Sequence, residues 1–489
     1  MGKTDRFSSR WGLIAATLGM AVGAGNIWRF PRVASQNGGG AFMAAWLVAL
    51  FAWSIPLLII EFSWGRKTRR GPIGAFVTML GRHWAWAGGF VALCCTAIMF
   101  YYAVVSGWCI YYLARSAFIG LRAAAVQAEW ERFIGSGWAV LSLALAVGAA
   151  GAVVMLGVRR GIERACVILV PALFILLAIA AVRSLLLPGA QVGLQHLFKP
   201  DFRPLLGHRV WLEAFTQSAW STGAGWGLLL VYAGYSSKRE DVVLGSFITG
   251  LGNNAASLLA ALAVVPAIFA LAPAGKAIEI VSAGNEGLAF VWIPRLFLGG
   301  GMAGGRLLLV VFFAALALAA LSSLIAMVEM AVRTLTDVGV RRGRAIVIIS
   351  VAGFCLGFPS AVNMSFFKNQ DWVWGLGLLI SGALFALGAI RYGVGRLRRE
   401  NNEIGQGIRL GCWFDLIVLV VIPVAIVAML GWWFYQSAQW SPRGWLDPLG
   451  TSTVGTCLVQ WGGALALLLV LNRFLARRAV SAVDVEGGS

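Results

Sequence analysis

Twelve apolar stretches run through this chain, at 11–35, 41–65, 88–116, 138–157, 165–187, 211–236, 242–272, 306–337, 344–360, 372–391, 412–435 and 454–474. About 20 apolar residues cross the hydrocarbon core of a bilayer as a helix, so these stretches constrain the fold more than any other feature. In lipid every backbone polar group must be paired within the structure, which leaves helices and closed barrels. The stretches are long and lack the two-residue alternation of barrel strands. The chain therefore reads as an all-α membrane protein with twelve transmembrane helices. Composition agrees: of 489 residues 60% are hydrophobic and 12% charged, against about 25% charged in soluble domains. The N-terminus is polar and leads straight into the first stretch, without the pattern of a cleavable leader. The 22 Trp suit bilayer interfaces.

A net charge of +19 raises the question of nucleic acid, and its distribution answers it. With the N-terminus inside, one side collects Lys3, Arg6, Arg10, the run Arg66, Lys67, Arg69, Arg70, then Arg159, Arg160, Arg164, Arg341, Arg342, Arg344 and the basic residues near 391–409 and 473–478. That asymmetry is the positive-inside pattern. It predicts both termini in the cytoplasm, and a lipid bilayer rather than nucleic acid as the large partner. The seven Cys form no Cys-x-x-Cys or His/Cys cluster, so they read as buried thiols. The three His (His83, His196, His208) have neither metal spacing nor a nucleophile beside them, and the chain does not read as an enzyme.

Two spans are interrupted. The first contains AVGAGNIWRFP (Ala21 to Pro31), and the sixth contains QSAWSTGAGWG with Gly223, Gly225 and Gly227. A single Gly in a membrane helix is ordinary packing. Interruptions five spans apart are different, because five is odd and the second five-helix unit then enters the membrane from the opposite side. Interruptions at matching places of inverted repeats point to a transporter's binding site near the midplane. The predicted organisation is a first repeat at 1–187, a loop at 188–210, a second repeat at 211–399 carrying a lid loop at 273–305, and two further helices with a tail at 400–489.

The blocks GNIWRFP and NGGGAF, with YYAVVSGW (101–108), GIERACVILVPALF (161–174), LFKPDF (197–202), GLAFVWIPRLF (287–297), SSLIAMVE (322–329) and NQDWVWG (369–375), resemble the neurotransmitter:sodium symporter family in its bacterial amino-acid transporter branch. The resemblance covers essentially the whole chain. It implies the leucine-transporter-like fold, in which a five-helix inverted repeat carries broken helices 1 and 6. It also implies sodium-coupled import of a neutral, apolar amino acid by alternating access, in a bacterial inner membrane. A non-transporting sensor of the same fold is an alternative, as is a sodium symporter of an amine or compatible solute.

By resemblance, one sodium site takes Ala21, Asn26, Ser221 and Asn253, together with the substrate carboxylate. A second takes the carbonyls of Gly19, Val22 and Ala319 and the hydroxyls of Ser322 and Ser323. The N–H groups of Ala24 and Gly25 and the Tyr102 hydroxyl would hold the carboxylate, because a helix start offers free N–H groups and a positive dipole end. Carbonyls of Ala21, Trp220 and Ser221 would take the ammonium. Ile98, Tyr102, Trp220, Gly223, Trp226, Ser323 and Met327 would surround the side chain. None of these is charged, so a charged substrate side chain is poorly served. Monoamine-carrying members have an Asp at the position of Gly23, which speaks against an amine. The outer gate would be Arg29 with Asp371 above Tyr102 and Trp220. The inner gate would use Asp337, with Lys3 or Arg6 in place of the Arg expected at Thr4. Gln217, Ser221, Asn253 and Ser257 resemble a chloride site, while Trp46 in place of a Tyr, and Glu213 one turn before Gln217, point the other way.

Overall fold

The computed structural model describes residues 6–199, 201–299, 304–405 and 407–487, and among these every regular element is helical. Ten helices are long and apolar enough to cross a membrane: Gly40–Thr68, Arg82–Ile119, Gly137–Met155, Val158–Leu185, Val242–Leu271, Gly305–Asp337, Arg342–Val362, Met364–Tyr392, Cys412–Trp440 and Val454–Ala479. They are spans two to five and seven to twelve. The first span is a pair, Arg10–Ala21 and Ala24–Gln36, bent by 53° at the break. The sixth is cut harder, into His208–Ser221 and Leu228–Gly234 with residues 222–227 between them. Together these are the twelve predicted spans.

The two breaks have different local causes. In the first span Val22 and Gly23 turn to extended backbone. The Asn26 side chain then accepts from the Gly23 N–H at 2.9 Å and restarts the helix, satisfying a donor that a helix start leaves free. In the sixth span Gly223, Gly225 and Gly227 have φ of +69°, +87° and +78°, values that glycine adopts at little cost and other residues do not.

Small residues let the helices approach closely, as is usual in membranes. Gly107 of the third span faces the Ser142–Leu143 backbone of the fourth, where an added Cβ would come within 2.7 Å of Ser142. Large apolar side chains on the outer spans point outward: Val427 and Val470 are 73% and 81% exposed. They belong against lipid.

The two predicted loops carry structure of their own. Residues 188–210 hold the short helices Ala190–Phe198 and Arg203–Leu206. The described part of 273–305 holds Ala277–Val281 and the segment Gly287–Gly299. Phe290 pins that segment to the bundle, stacking on Trp130 at 4.9 Å and meeting Trp28 edge-on at 5.8 Å. Aromatic pairs in this range add about 0.5–1.5 kcal/mol each beyond area burial.

At the end of the bundle that carries the N-terminus, Glu329 of the eighth span is fully buried. Its carboxylate takes two bonds from Arg342, both at 2.8 Å, and one from the Tyr235 hydroxyl at 2.6 Å. Removing the cation would strand a buried charge. Arg342→Ala is expected to cost roughly 3–5 kcal/mol, with most of the loss recovered by adding Glu329→Gln. Thermal unfolding of the single and double variants in detergent measures this. Equal losses with and without Glu329→Gln would show that the pair is not coupled. Asp337, predicted at the inner gate, takes the Gly74 N–H at 3.2 Å and lies 3.7 Å from Arg333 on its own helix. Lys3 and Thr4 lie outside the described residues, and Arg6 is exposed.

The chain just before the first span is also fastened at this end. Glu163, at the start of the fifth span, accepts from the Ser8 N–H at 2.8 Å, the Ser8 hydroxyl at 2.6 Å and the Ser9 hydroxyl at 3.3 Å. The Phe7 N–H donates to the Tyr235 carbonyl, and its ring packs on Tyr232.

Candidate functional site

The breaks in the first and sixth spans face each other across a cavity of about 90 Å³. Ten of the eleven predicted substrate positions line it: Ala21, Gly25, Ile98, Tyr102, Trp220, Ser221, Gly223, Trp226, Ser323 and Met327. The eleventh, Ala24, takes part through its backbone, donating its N–H to the Tyr102 hydroxyl at 3.0 Å. That hydroxyl and the N–H groups of Ala24 and Gly25 at the start of Ala24–Gln36 are donors of the kind that a carboxylate takes.

Beside this helix start lies a cluster of oxygens without fixed charge. Asn26 Nδ2 donates to Asn253 Oδ1 and to Ser257 Oγ, both at 2.7 Å. Asn253 Nδ2 lies 3.1 Å from Ser221 Oγ, and with its amide turned over the nitrogen would lie 2.8 Å from the Ser221 carbonyl and 3.2 Å from that of Ala21. Five positions from three spans thus meet here, and all of them are buried. Amide, hydroxyl and carbonyl oxygens in such a set are what a hard monovalent cation needs in place of water.

A second set gathers on the other side of the break. The Ser323 hydroxyl lies 3.2 Å from the Gly19 carbonyl and 3.3 Å from those of Met20 and Val22. Ser322 is bonded to the Ala319 carbonyl at 3.0 Å, and a Cβ on Gly19 would touch Ser322 at 3.3 Å. All five predicted positions of this set lie together. Unwinding at Val22–Gly23 frees the carbonyls, and the eighth span supplies the hydroxyls. The groups gathered here are neutral oxygens, and among the described residues no group of three or more His, Cys, Asp or Glu could hold a metal ion.

Gly23 sits between the two sets. An added Cβ would come within 2.9 Å of the Tyr102 hydroxyl and 3.2 Å of Ser323 Oγ. Gly23→Ala is expected to push Tyr102 off the Ala24 N–H and to weaken substrate binding about tenfold, the size of one lost hydrogen bond. A titration of substrate uptake measures it, and unchanged half-saturation would show that the hydroxyl is not a ligand.

The outer pair is not closed in this structure. Arg29 and Asp371 both line the cavity, yet the Arg29 guanidinium bonds to Gln217 Oε1 at 2.6 Å and lies 5.1 Å above the Trp220 ring. Asp371 faces the Tyr101 hydroxyl instead. The predicted chloride residues are drawn into the same network, Gln217 toward Arg29 and Ser257 toward Asn26.

Sequence reasoning missed three groups. Asn285 and Glu286 bring the loop at 273–305 to the mouth of the cavity, where Asn285 accepts from Arg32 at 2.9 Å. Met20, Leu228 and Phe367 add apolar lining. Glu61 of the second span is fully buried and accepts from the N–H groups of Gly225 at 2.5 Å and Leu230 at 3.4 Å. It holds the unwound part of the sixth span, and Ser381 donates to the Gly225 carbonyl from the opposite side. An acid alone in an apolar run was the signal available for it, since such residues in a membrane are rarely idle.

The model of the sodium:neurotransmitter symporter family matches residues 4–133 and 133–476. The chain belongs to this family. An uncharacterised sodium-dependent transporter of Methanocaldococcus jannaschii is 31% identical over 443 residues, covering 87% of this chain and 89% of that one. Another from Bacillus subtilis is 29% identical, over 87% and 96%. A human sodium-dependent neutral amino acid transporter is 31% identical over 53% of this chain and 40% of its own length. The crystal structure of MhsT in complex with L-phenylalanine aligns with a TM-score of 0.76 at 30% identity, covering 87% of this chain and 99% of that one. As a member of the sodium:neurotransmitter symporter family the protein is a multi-pass membrane transporter that depends on sodium, with the leucine-transporter-like fold, and not an enzyme.

Proposed function

We propose that this transporter imports a neutral, apolar amino acid together with sodium by alternating access, across a bacterial inner membrane with both termini in the cytoplasm. The observation that carries the reading is the Tyr102 hydroxyl bonded to the Ala24 N–H inside an apolar cavity. A carboxylate would replace that partner and reach the oxygens of Ala21, Asn26, Ser221 and Asn253, so that substrate and one sodium ion contact each other directly. Gly19, Val22, Ala319, Ser322 and Ser323 would hold a second ion. Ile98, Met20, Gly223, Trp226 and Met327 leave no charge beside the substrate side chain. The charged lining residues Arg29, Glu286 and Asp371 would be the outer gate region. Gly23, lacking a carboxylate, favours an amino acid over an amine. The spans at 1–187 and 211–399 would be the inverted repeats that rock about this site.

A chloride site beside the first sodium position is a second reading. It is supported by Ser257 within the Asn26 cluster.

The test is uptake of radiolabelled amino acids into proteoliposomes with and without an inward sodium gradient. Sodium-driven accumulation of one apolar amino acid is expected. Sodium-dependent binding without accumulation would indicate a sensor, and accumulation of an amine or of a charged amino acid would overturn the substrate reading. Replacing chloride by gluconate in the same assay should lower uptake if the chloride reading holds; unchanged uptake removes it.

A further inference from the structure

The basic residues at the N-terminal end of the bundle divide into two groups. Several are used inside the protein: Arg66 bonds to the Glu240 carbonyl and Asn401, Arg342 to Glu329, and Arg398 to Asp415. Five others are exposed and have no hydrogen-bond or ion-pair partner among the described residues: Arg159, Arg160 and Arg164 between the fourth and fifth spans, and Arg341 and Arg344 at the start of the ninth.

These five belong to one place. Arg342 donates to the Val154 carbonyl at 3.0 Å, joining the start of the ninth span to the end of the fourth. One turn and more into the membrane, Gly151 packs against Ser350, where a Cβ would come within 2.7 Å of its hydroxyl. Gly161 lets the turn Val158–Glu163 fold back against the end of the fourth span, where an added Cβ would run into the Val153 carbonyl. The nearby acids are spent elsewhere: Glu163 on Ser8 and Ser9, and Glu329 on Arg342 and Tyr235. Toward the membrane the cluster borders exposed apolar side chains, with Met155, Leu156 and Ile168 each more than 60% exposed and Val347 55% exposed. Guanidinium groups at the ends of helices above an outward apolar face present both halves of a phospholipid contact, one for the phosphate and one for the chains.

We propose that the ends of the fourth, fifth and ninth spans form a binding site for one anionic phospholipid, its phosphodiester held by Arg159, Arg160, Arg164, Arg341 and Arg344. Five like charges held together against the single carboxylate of Glu163 repel one another, and an anionic headgroup relieves this where a zwitterionic one, carrying its own cation, does so less. The site lies apart from the central cavity and does not rest on the reading of the substrate.

Native mass spectrometry of the detergent-solubilised protein, titrated with phosphatidylglycerol or phosphatidylcholine, tests it. One phosphatidylglycerol is expected to stay bound under conditions that strip phosphatidylcholine. Arg160→Gln with Arg341→Gln, one from each loop, should weaken that binding about 25-fold, at about fivefold per arginine near a lipid surface. The control Arg391→Gln with Arg409→Gln removes the same charge from exposed residues elsewhere at this end and should leave it unchanged. Equal retention of the two lipids by the wild type would overturn the proposal without any variant. Equal loss in the control pair would show a diffuse field instead of a site. Displacement by millimolar inorganic phosphate would show a free-anion site and no lipid site.

Discussion

Asn26→Ala is expected to lower sodium-driven uptake by a factor of about 100 or more. The amide does three things at once. Its oxygen accepts from the Gly23 N–H, its nitrogen reaches Asn253 and Ser257, and it stands among the oxygens proposed to hold sodium. Losing a buried partner costs about 1–3 kcal/mol per group left unmatched, and about 2.7 kcal/mol is a hundredfold in binding. The loss should be largest at low sodium, because the ion would lose a ligand while the apolar pocket stays. Initial rates of uptake across a range of sodium concentrations measure this. Uptake within tenfold of wild type, with the same sodium dependence, would remove Asn26 from the ion site.

Glu61→Ala should damage stability and transport together. The carboxylate is the acceptor for the Gly225 and Leu230 N–H groups in the unwound part of the sixth span, and all three residues are buried. Alanine leaves two donors without partners, at roughly 2–6 kcal/mol in all. Glu61→Gln keeps an acceptor oxygen and should lose less than half as much. The segment that Glu61 steadies follows directly on Trp220 and Ser221, so uptake should fall even where the variant still folds. Thermal unfolding in detergent, with uptake by the folded fraction, separates the two effects. An unfolding midpoint equal to wild type in Glu61→Ala would mean that the sixth span is held by its other contacts.

Glu61 also marks where reading the sequence stops. The apolar stretches and the breaks at Gly23 and at Gly223–Gly227 were legible because each depends on local chemistry, run length and glycine, whereas the Asn and Ser positions near them came from the family resemblance. The partners of Glu61 lie 164 and 169 residues away. The partner of Arg29 could be narrowed only to a family expectation, Asp371, and the structure gives it Gln217. Phe290 looks like any loop aromatic until Trp28 and Trp130 surround it. Each is a match between surfaces far apart in the chain, which helix packing decides and local pattern does not encode. Arg342 as the cation of Glu329 is likewise beyond local pattern, since it comes from the next helix.

The clasp of Ser8 and Ser9 by Glu163 gives the first half of the first span the mechanics of a lever. Arg10–Ala21 is 12 residues long, about 18 Å of helix at 1.5 Å per residue. Its fulcrum is the extended Val22–Gly23 joint, and the carbonyls of Gly19, Ala21 and Val22 sit within a few ångströms of that fulcrum. A tilt of about 10° at such a hinge barely moves those carbonyls but carries the Ser9 end through about 3 Å. Hydrogen bonds of 2.6 and 2.8 Å to Glu163 do not survive that travel. A tilt that barely shifts the carbonyls at one end is thus large enough to unfasten the chain at the other.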